Sequence, residues 1–388
     1  MLRSLYSGIS GLRAHQTMLD VTGNNIANVN TAGFKASSTQ FQDTLSQLQQ
    51  GATGPQAATG GSNPAQIGLG VRVAGVTTNF SQGSSQSTGR ATDLMISGDG
   101  FFVTSKGGSQ LFTRAGAFSP DAANQLVSPD GGILQGWTAT NGVINAGGPV
   151  GDITLNPNTM VAKKTDTVTL DGNLPSDAVD GTKLDRLVKV YDAAGTERSV
   201  SMTFTKAGST WNIAADDNGT TATGSVTYTN GKPTAGGNVT VNGITIDVSK
   251  VSGYAAMSSL TVSGQNGAPV GKLESYTLGS DGSLVGSFSN GIKQVLAKIA
   301  LAKFTNPAGL EKAGGSSYVA TGNSGGVQLG AAGDPGLGTL TGGSLEMSNV
   351  DLSQEFTNLI VAQRGFQANA RIITTSDEVL QELTQLKR

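Results

Sequence analysis

Apolar positions at the two ends of the chain recur at helical spacing, and those in the middle alternate. Near the start, Leu2, Leu5, Ile9, Leu12 and Leu19 follow steps of three, four and seven, interrupted by Gln16, and Ile26 continues the register after Gly23. Near the end, Leu352, Phe356, Leu359, Phe366, Ala370, Ile373 and Leu380 follow the same alternation, interrupted by Gln363 and Asp377. Leu383 and Leu386 extend it with a small shift of phase. Both stripes have the narrow width of a coiled-coil seam. Asp351 with Gln354 reads as a helix start. The spacing predicts a helix over residues 352–386, roughly 50 Å long at 1.5 Å per residue. Neither helix has a sequence neighbour that could bury its stripe, so they pair with each other or with other copies.

Between the ends, short apolar runs are separated by Gly, Asp, Asn and Ser. "ATDLMISGDGFFVT" reads as two strands joined at a Gly-Asp-Gly turn, and the stretch through Trp137 continues as a meander. From about Gly147 to Asp281, Thr/Val alternation predicts an inserted all-β domain, sandwich or barrel-like. Residues 282–306 return to longer strands that suit the earlier meander. Two Gly-rich stretches, 51–66 and 322–343, read as flexible connectors. The fold class is therefore mainly β with α-helical termini. The nested segments are 1–45 (N-terminal helical assembly segment), 46–146 (inner β domain with connector), 147–281 (inserted outer β domain), 282–344 (inner β domain, second part) and 345–388 (C-terminal helical assembly segment).

The stretch "TGNNIANVNTAGFK" places Asn24, Asn25, Asn28 and Asn30 where the first helix should continue. Asparagine competes for nearby backbone groups and is a poor helix former. In a helix packed between copies of a repeating array such amides fix register at some cost in stability; the alternative is that they only make the turn into Phe34. Asn28 or Asn30 can also end the helix in a left-handed conformation.

Composition narrows the function classes. Of 388 residues, 56 are glycine and 13% are charged, and the net charge of -2 leaves no electrostatic footprint for nucleic acid or an anionic membrane. Without cysteine there is no disulfide, thiolate metal site or cysteine nucleophile. Arg13, His15, Gln16 and Asp20 break any signal-peptide-like apolar core, and no run is long enough to span a bilayer. His15, the single histidine, lacks a motif partner and reads as a solvated or interface residue. "SGDGFF" and "DDNG" read as turns rather than phosphate or calcium loops. Trp137 and Trp211 read as core residues. No catalytic residue, cofactor or metal is expected, so the chain reads as a structural protein.

"MLRSLYSGISGLRAHQTMLDVTGNNIANVNTAGFKAS" resembles the N-terminal segment of the bacterial flagellar rod and hook family of axial proteins. "GSLEMSNVDLSQEFTNLIVAQRGFQANARIITTSDEVLQEL" resembles that family's C-terminal partner. "TDLMISGDGFFV" and "FTRAGAFSPDAANQLVSPDGGILQGW" resemble its shared inner β domain. The presence and size of the insert point to the hook branch rather than the short rod proteins. The resemblance implies export through the flagellar type III apparatus without a cleavable signal. It implies a curved helical homopolymer outside the cell, whose terminal helices form an inner coiled-coil layer. It further implies contacts with the distal rod protein, the hook cap and the hook–filament junction proteins. Alternatives are a distal rod subunit, or a secreted β-rich adhesin.

Overall fold

The computed structural model describes residues 2–55, 60–140 and 142–385, with Leu2 placed in its backbone alone. The expected seam position Leu386 lies outside the described residues, as does the Leu2 side chain. Two long helices bracket the chain: α1 (Leu2–Ala27) and α2 (Leu352–Gln385). Among the described residues, what lies between them is strand, turn, irregular loop and one short 3-10 segment, so the protein is mainly β with helical ends.

Two compact units divide the chain. The first comprises Met1–Leu155, Thr277–Leu284 and Val295–Arg388, and the second Asn156–Tyr276 and Val285–Gln294. The sequence places an insert at 147–281, and the second unit differs from it at both ends for identifiable reasons. Residues Gly151–Asp152 pair with Gly136 and Gln135, Ile153 is fully buried, and the Trp137 indole N–H donates to Gly148 O at 2.8 Å. These bonds hold 147–155 on the first unit. Conversely, Asn290 donates to Val161 O and Pro269 O, tying its hairpin to the second unit. The terminal segments 1–45 and 345–388 belong to the first unit as well.

In the first unit, strands Phe101–Lys106, Ser109–Thr113, Ile133–Thr138 and the 297–303 part of Lys293–Lys303 share one antiparallel sheet. Its core is aromatic. Phe80, Phe101 and Tyr318 meet edge to face at 5.2–6.1 Å, and Phe304 meets Phe101 and Phe112 at 5.8 and 4.8 Å. The Gly-Asp-Gly turn does not close a hairpin as the sequence suggests. Leu94–Ser97 pairs instead with Thr339–Gly342, while Phe101–Lys106 pairs with Ser109–Thr113. Gly98 and Gly100, at φ 108 and 121°, turn the chain from one pairing to the other. A Cβ on Gly98 would lie 3.0 Å from Gly338 Cα. The expected connector over 322–343 is likewise ordered. It contains Gln328–Ala331 and Thr339–Gly342, and it buries Ala331, Ala332 and Leu340. The earlier connector also carries structure, since Ala65–Gly68 pairs with Ser46–Gln50; its residues 56–59 lie outside the described set.

The chain's ends are clamped through a buried ion cluster. Glu346 accepts from Lys35 Nζ at 2.6 Å and from the Gly83 amide at 2.9 Å on one oxygen, and from Arg114 at 3.3 Å on the other. The Lys35 and Glu346 side chains are fully buried, and that of Arg114 nearly so. Lys35 also donates to Ser81 O at 2.7 Å, and the Arg114 guanidinium lies 5.4 Å over the Phe101 ring. Burial holds the Lys35 ammonium below the usual lysine range, against the opposing pull of Glu346.

The second unit is a two-sheet sandwich. One sheet is a meander of five antiparallel strands from Lys183 to Gly236. Its Asn218-Gly219 and Asn230-Gly231 turns have both residues at positive φ, the type I′ geometry that matches strand twist. "DDNG" is thus a hairpin turn. The other sheet centres on Thr167–Asn173, which pairs in parallel with Ile244–Asp247 and Val251–Ser252 and antiparallel with Thr261–Gln265. Val168, Leu170, Phe204, Trp211, Ile213 and Ile246 fill the space between.

Removing one partner of a buried ion pair leaves uncompensated charge and costs about 3–5 kcal/mol. Glu346→Ala strands two cations and is expected to lower stability by that order in calorimetry. Lys189→Ala, at the exposed Lys189–Glu197 pair (2.7 Å), should be silent. An equal effect of both would refute the clamp.

Burial pushes the Tyr228 and Tyr318 hydroxyls up to about 12, one in each unit. A phenol whose folded pKa is raised contributes stability that is full below its unfolded value near 10, and that is lost as pH rises from there to about 12. Phenolate absorbance should therefore show two of the six tyrosines titrating last, near pH 12. Tyr228→Phe and Tyr318→Phe should each remove one. Titration of all six near pH 10 in the folded state would contradict this.

Candidate assembly interface

Helices α1 and α2 pack antiparallel, and small residues set their separation. A Cβ on Gly11 would come within 2.7 Å of the Asn369 amide, and one on Gly365 within 2.5 Å of the His15 ring. A Cβ on Gly8 would touch Ile372 and Ile373 at 3.4 Å. Each glycine therefore receives a side chain of the opposite helix. Ala362, fully buried, is the most enclosed residue of α2. His15 is half-buried at the helix pair, against Gly365. It packs edge-on to Phe41 at 5.7 Å, its Nδ1 is enclosed, and no polar group reaches that atom.

Asn25 answers why amides crowd the end of α1. It is fully buried, and its Oδ1 accepts from the Ser37 amide at 3.0 Å. Its Nδ2 donates to Ser37 O at 2.7 Å and to Glu355 Oε1 of α2 at 3.1 Å. One side chain thus locks α1 to a strand and to α2, so it sets register within the chain. Asn28 donates to Asn24 O and Oδ1 and accepts from Thr31, covering groups that the helix end leaves open. Neither Asn28 nor Asn30 adopts the expected left-handed conformation. That conformation falls to Gly33, at φ 70°, where a Cβ would strike the Ala115 amide at 2.4 Å. Asn24 and Asn30 are exposed.

The expected apolar seam divides. Leu5, Ile9, Leu12, Leu19 and Ile26 on α1, and Leu359, Phe366, Ile373 and Leu380 on α2, are half-buried. Leu352 and Phe356 are not in the pair, being 41% and 49% exposed. For Leu352 the reason is the length of α1: with His15 against Gly365 and Gly11 against Asn369, residue 352 falls opposite position 28, past the helix end at Ala27. Leu352, Phe356 and Ile360, four residues apart, form one exposed ridge on α2. Val361, Ile372, Val379 and Leu383 form a second on the other flank. The pair therefore satisfies one face of α2 and leaves apolar ridges on either side.

Three partners that sequence reasoning missed stand beside this interface. Glu346 and Lys35 form the clamp. Asn349 accepts from the Ala36 amide at 2.8 Å and donates to Asn79 O at 2.8 Å and Ser81 O at 3.0 Å. Asn349 thus ties the entry of α2 to residues 36, 79 and 81, while Asp351 Oδ1 accepts from the Ser353 and Gln354 amides at 2.9 and 3.2 Å and caps the helix. Among the described residues no cluster of His, Asp or Glu could hold a metal ion, and no helix is long and apolar enough to cross a membrane.

Three family models match the chain in order: a flagella basal body rod protein over residues 5–35, the D1 domain of the flagellar hook protein FlgE/F/G over 95–174, and the C-terminal part of the basal body rod FlgEFG proteins over 341–386. The chain is 40% identical to the flagellar hook protein FlgE of Borreliella burgdorferi over the whole of both chains. It is 36% identical to FlgE of Salmonella typhimurium over 99% of this chain and all of the other. The basal-body rod protein FlgG of Bacillus subtilis is 34% identical, again end to end. The chain therefore belongs to the flagellar hook protein family, among the rod and hook proteins of the flagellum.

Proposed function

We propose that this chain is the structural subunit of a flagellar hook, and that it polymerises through its helical ends into a curved tube that transmits motor torque while bending. The observation that carries this reading is the pair of apolar ridges on α2 that the helix pair leaves open. Large apolar side chains exposed singly are ordinary on a protein surface, but seven on one helix in two rows indicate a packing surface. The occupant is a further copy of the chain, because hook relatives match from end to end. Repetition of such a heterologous contact without closure generates a helical polymer.

Export by the flagellar type III apparatus and a position outside the cell belong to the same reading. So do end contacts with the distal rod protein, the hook cap and the hook–filament junction proteins. The rod relative favours a second reading, a straight distal shaft. Electron microscopy of reassembled polymer separates the two, since curved tubes support the hook and rigid straight ones the rod.

Substitution on a ridge should separate assembly from folding. Surface changes away from special features usually alter stability by no more than about 0.5 kcal/mol. Phe356→Asp and Val361→Asp should leave the monomer's melting nearly unchanged and abolish pelleting of assembled tubes. Phe366→Asp, placed against α1, should loosen the helix pair as well. If Phe356→Asp and Val361→Asp both pellet like the parent, the ridges are not the assembly surface.

A further inference from the structure

Helix α1 turns a second face away from α2. Gly8, Gly11 and His15 meet α2, whereas Tyr6, Ser10, Arg13 and Thr17 stand about half a turn around the helix. Strand Val71–Thr78 begins along this second face. The Val71 amide donates to the Ser10 hydroxyl at 3.2 Å, and a Cβ on Gly70 would strike that hydroxyl. Helix and strand are thereby held together at the floor of a groove of about 440 Å³. Its apolar walls come from Tyr6, Ile9, Ala14, Val71 and Val73, and the Tyr6 ring is 67% exposed. Arg13 supplies charge: it is exposed and makes no ion pair among the described residues, whereas Arg72 is bonded to Gln42 across the ladder. No carboxylate stands among the described walls.

The far end of α2 carries a complementary surface. With Gly11 against Asn369 and His15 against Gly365, Leu2 falls opposite Glu378, so 379–385 has no described α1 residue beside it. The second apolar ridge ends in this stretch with Val379 and Leu383, 38% and 49% exposed. Glu378 and Glu382 form the adjacent row of the helix, exposed and without an ion pair among the described residues. This end of α2 is thus apolar and anionic where the groove is apolar and cationic. Within one chain the two cannot meet, because α1 stands between them, with α2 on its glycine face and the groove on the opposite one.

We propose, building on the reading of the chain as a self-assembling subunit, that the 379–385 end of α2 in one copy docks in the groove between α1 and strand Val71–Thr78 of another copy. Val379 and Leu383 cover Tyr6, Val71 and Val73, and the Glu378–Glu382 row faces Arg13. Charge of opposite sign fixes which way the incoming helix lies, and the apolar area holds it there. Tail and groove are different patches of one chain. Each docked copy therefore leaves a groove or a tail open for the next, and the contact does not close on itself.

The chain holds no cysteine, so introduced thiols report the contact without background. Tyr6→Cys and Leu383→Cys chains, mixed, assembled into tubes and oxidised, are expected to yield a disulfide-linked heterodimer. The same mixture kept monomeric is expected to yield none, and so is Tyr6→Cys with Gln381→Cys, which lies on the far side of the helix. A second measurement uses charge. Arg13→Glu should raise the concentration needed for tube formation about tenfold, and so should Glu378→Arg with Glu382→Arg. All three changes in one chain should restore assembly. These side chains are exposed, so unchanged monomer melting separates the effect from misfolding. Tubes that form without the Tyr6–Leu383 link, that link Gln381 equally well, or whose charge reversal is not rescued overturn this docking and leave the hook reading in place. A parent chain that forms no tubes overturns both.

Discussion

The carboxylate of Glu346 is the group on which the first unit depends. It stands 311 residues from Lys35 and 232 from Arg114, yet it faces both from a site without solvent. Its backbone takes part too, since Gly33 N–H donates to Glu346 O at 2.8 Å. The turn that ends α1 and the strand that leads into α2 are therefore joined on one residue. Two buried cations against one anion would be costly in isolation. The Ser81 carbonyl on Lys35 and the Phe101 ring under Arg114 offset part of that cost. Such a cluster selects one arrangement of the chain ends, because any slip leaves charge unpaired in the interior.

With the ends clamped, the register of the helices follows from hydrogen bonds and from space rather than from apolar bulk. Asn25 ties α1 to Ser37 and to Glu355, and Asn349 ties the entry of α2 to the Asn79 and Ser81 carbonyls. Further along, Gly11 accommodates Asn369 and Gly365 accommodates His15. A glycine in mid-helix costs roughly 1 kcal/mol relative to alanine. Here that cost is met by a close approach that no larger residue permits.

Both helices were legible in the sequence, because a 3-4 stripe sustained over five or more turns suits neither a strand nor a loop. The β texture of the middle was legible too, through Thr/Val alternation and Asn-Gly turns. The contact face of the helix pair was not legible. A stripe of large apolar residues is what the sequence shows, so Phe356 was read as seam while the small and polar Ala362, Gly365 and Asn369, where the helices come closest, were passed over. Nor was the clamp, since nothing local to Lys35, Arg114 or Glu346 distinguishes them from solvated charges. The stretch 322–343 misled for a related reason. Glycine there does not signal looseness: Gly330 and Gly338 leave room for the Leu337 side chain and the Ser97 backbone, and Ala331, Ala332 and Leu340 beside them are buried.

The division of labour on α2 bears on how a bending polymer holds together. The directional bonds at the start of the helix, through Glu355 and Asn349, are spent inside the chain, where geometry must not change. Outward, among polar residues, stand seven large apolar side chains: Leu352, Phe356 and Ile360 on one flank, Val361, Ile372, Val379 and Leu383 on the other. Burial of apolar area is non-directional and scales with the area covered. A ridge can shift along its neighbour by a fraction of a helical turn and keep most of that area, whereas a hydrogen bond weakens steeply once its angle opens. On the proposed reading as a hook subunit, contacts between copies gain from this tolerance, and contacts within a copy gain from its absence. The inward bonds of Glu355 and Asn349 and the outward apolar ridges would supply both.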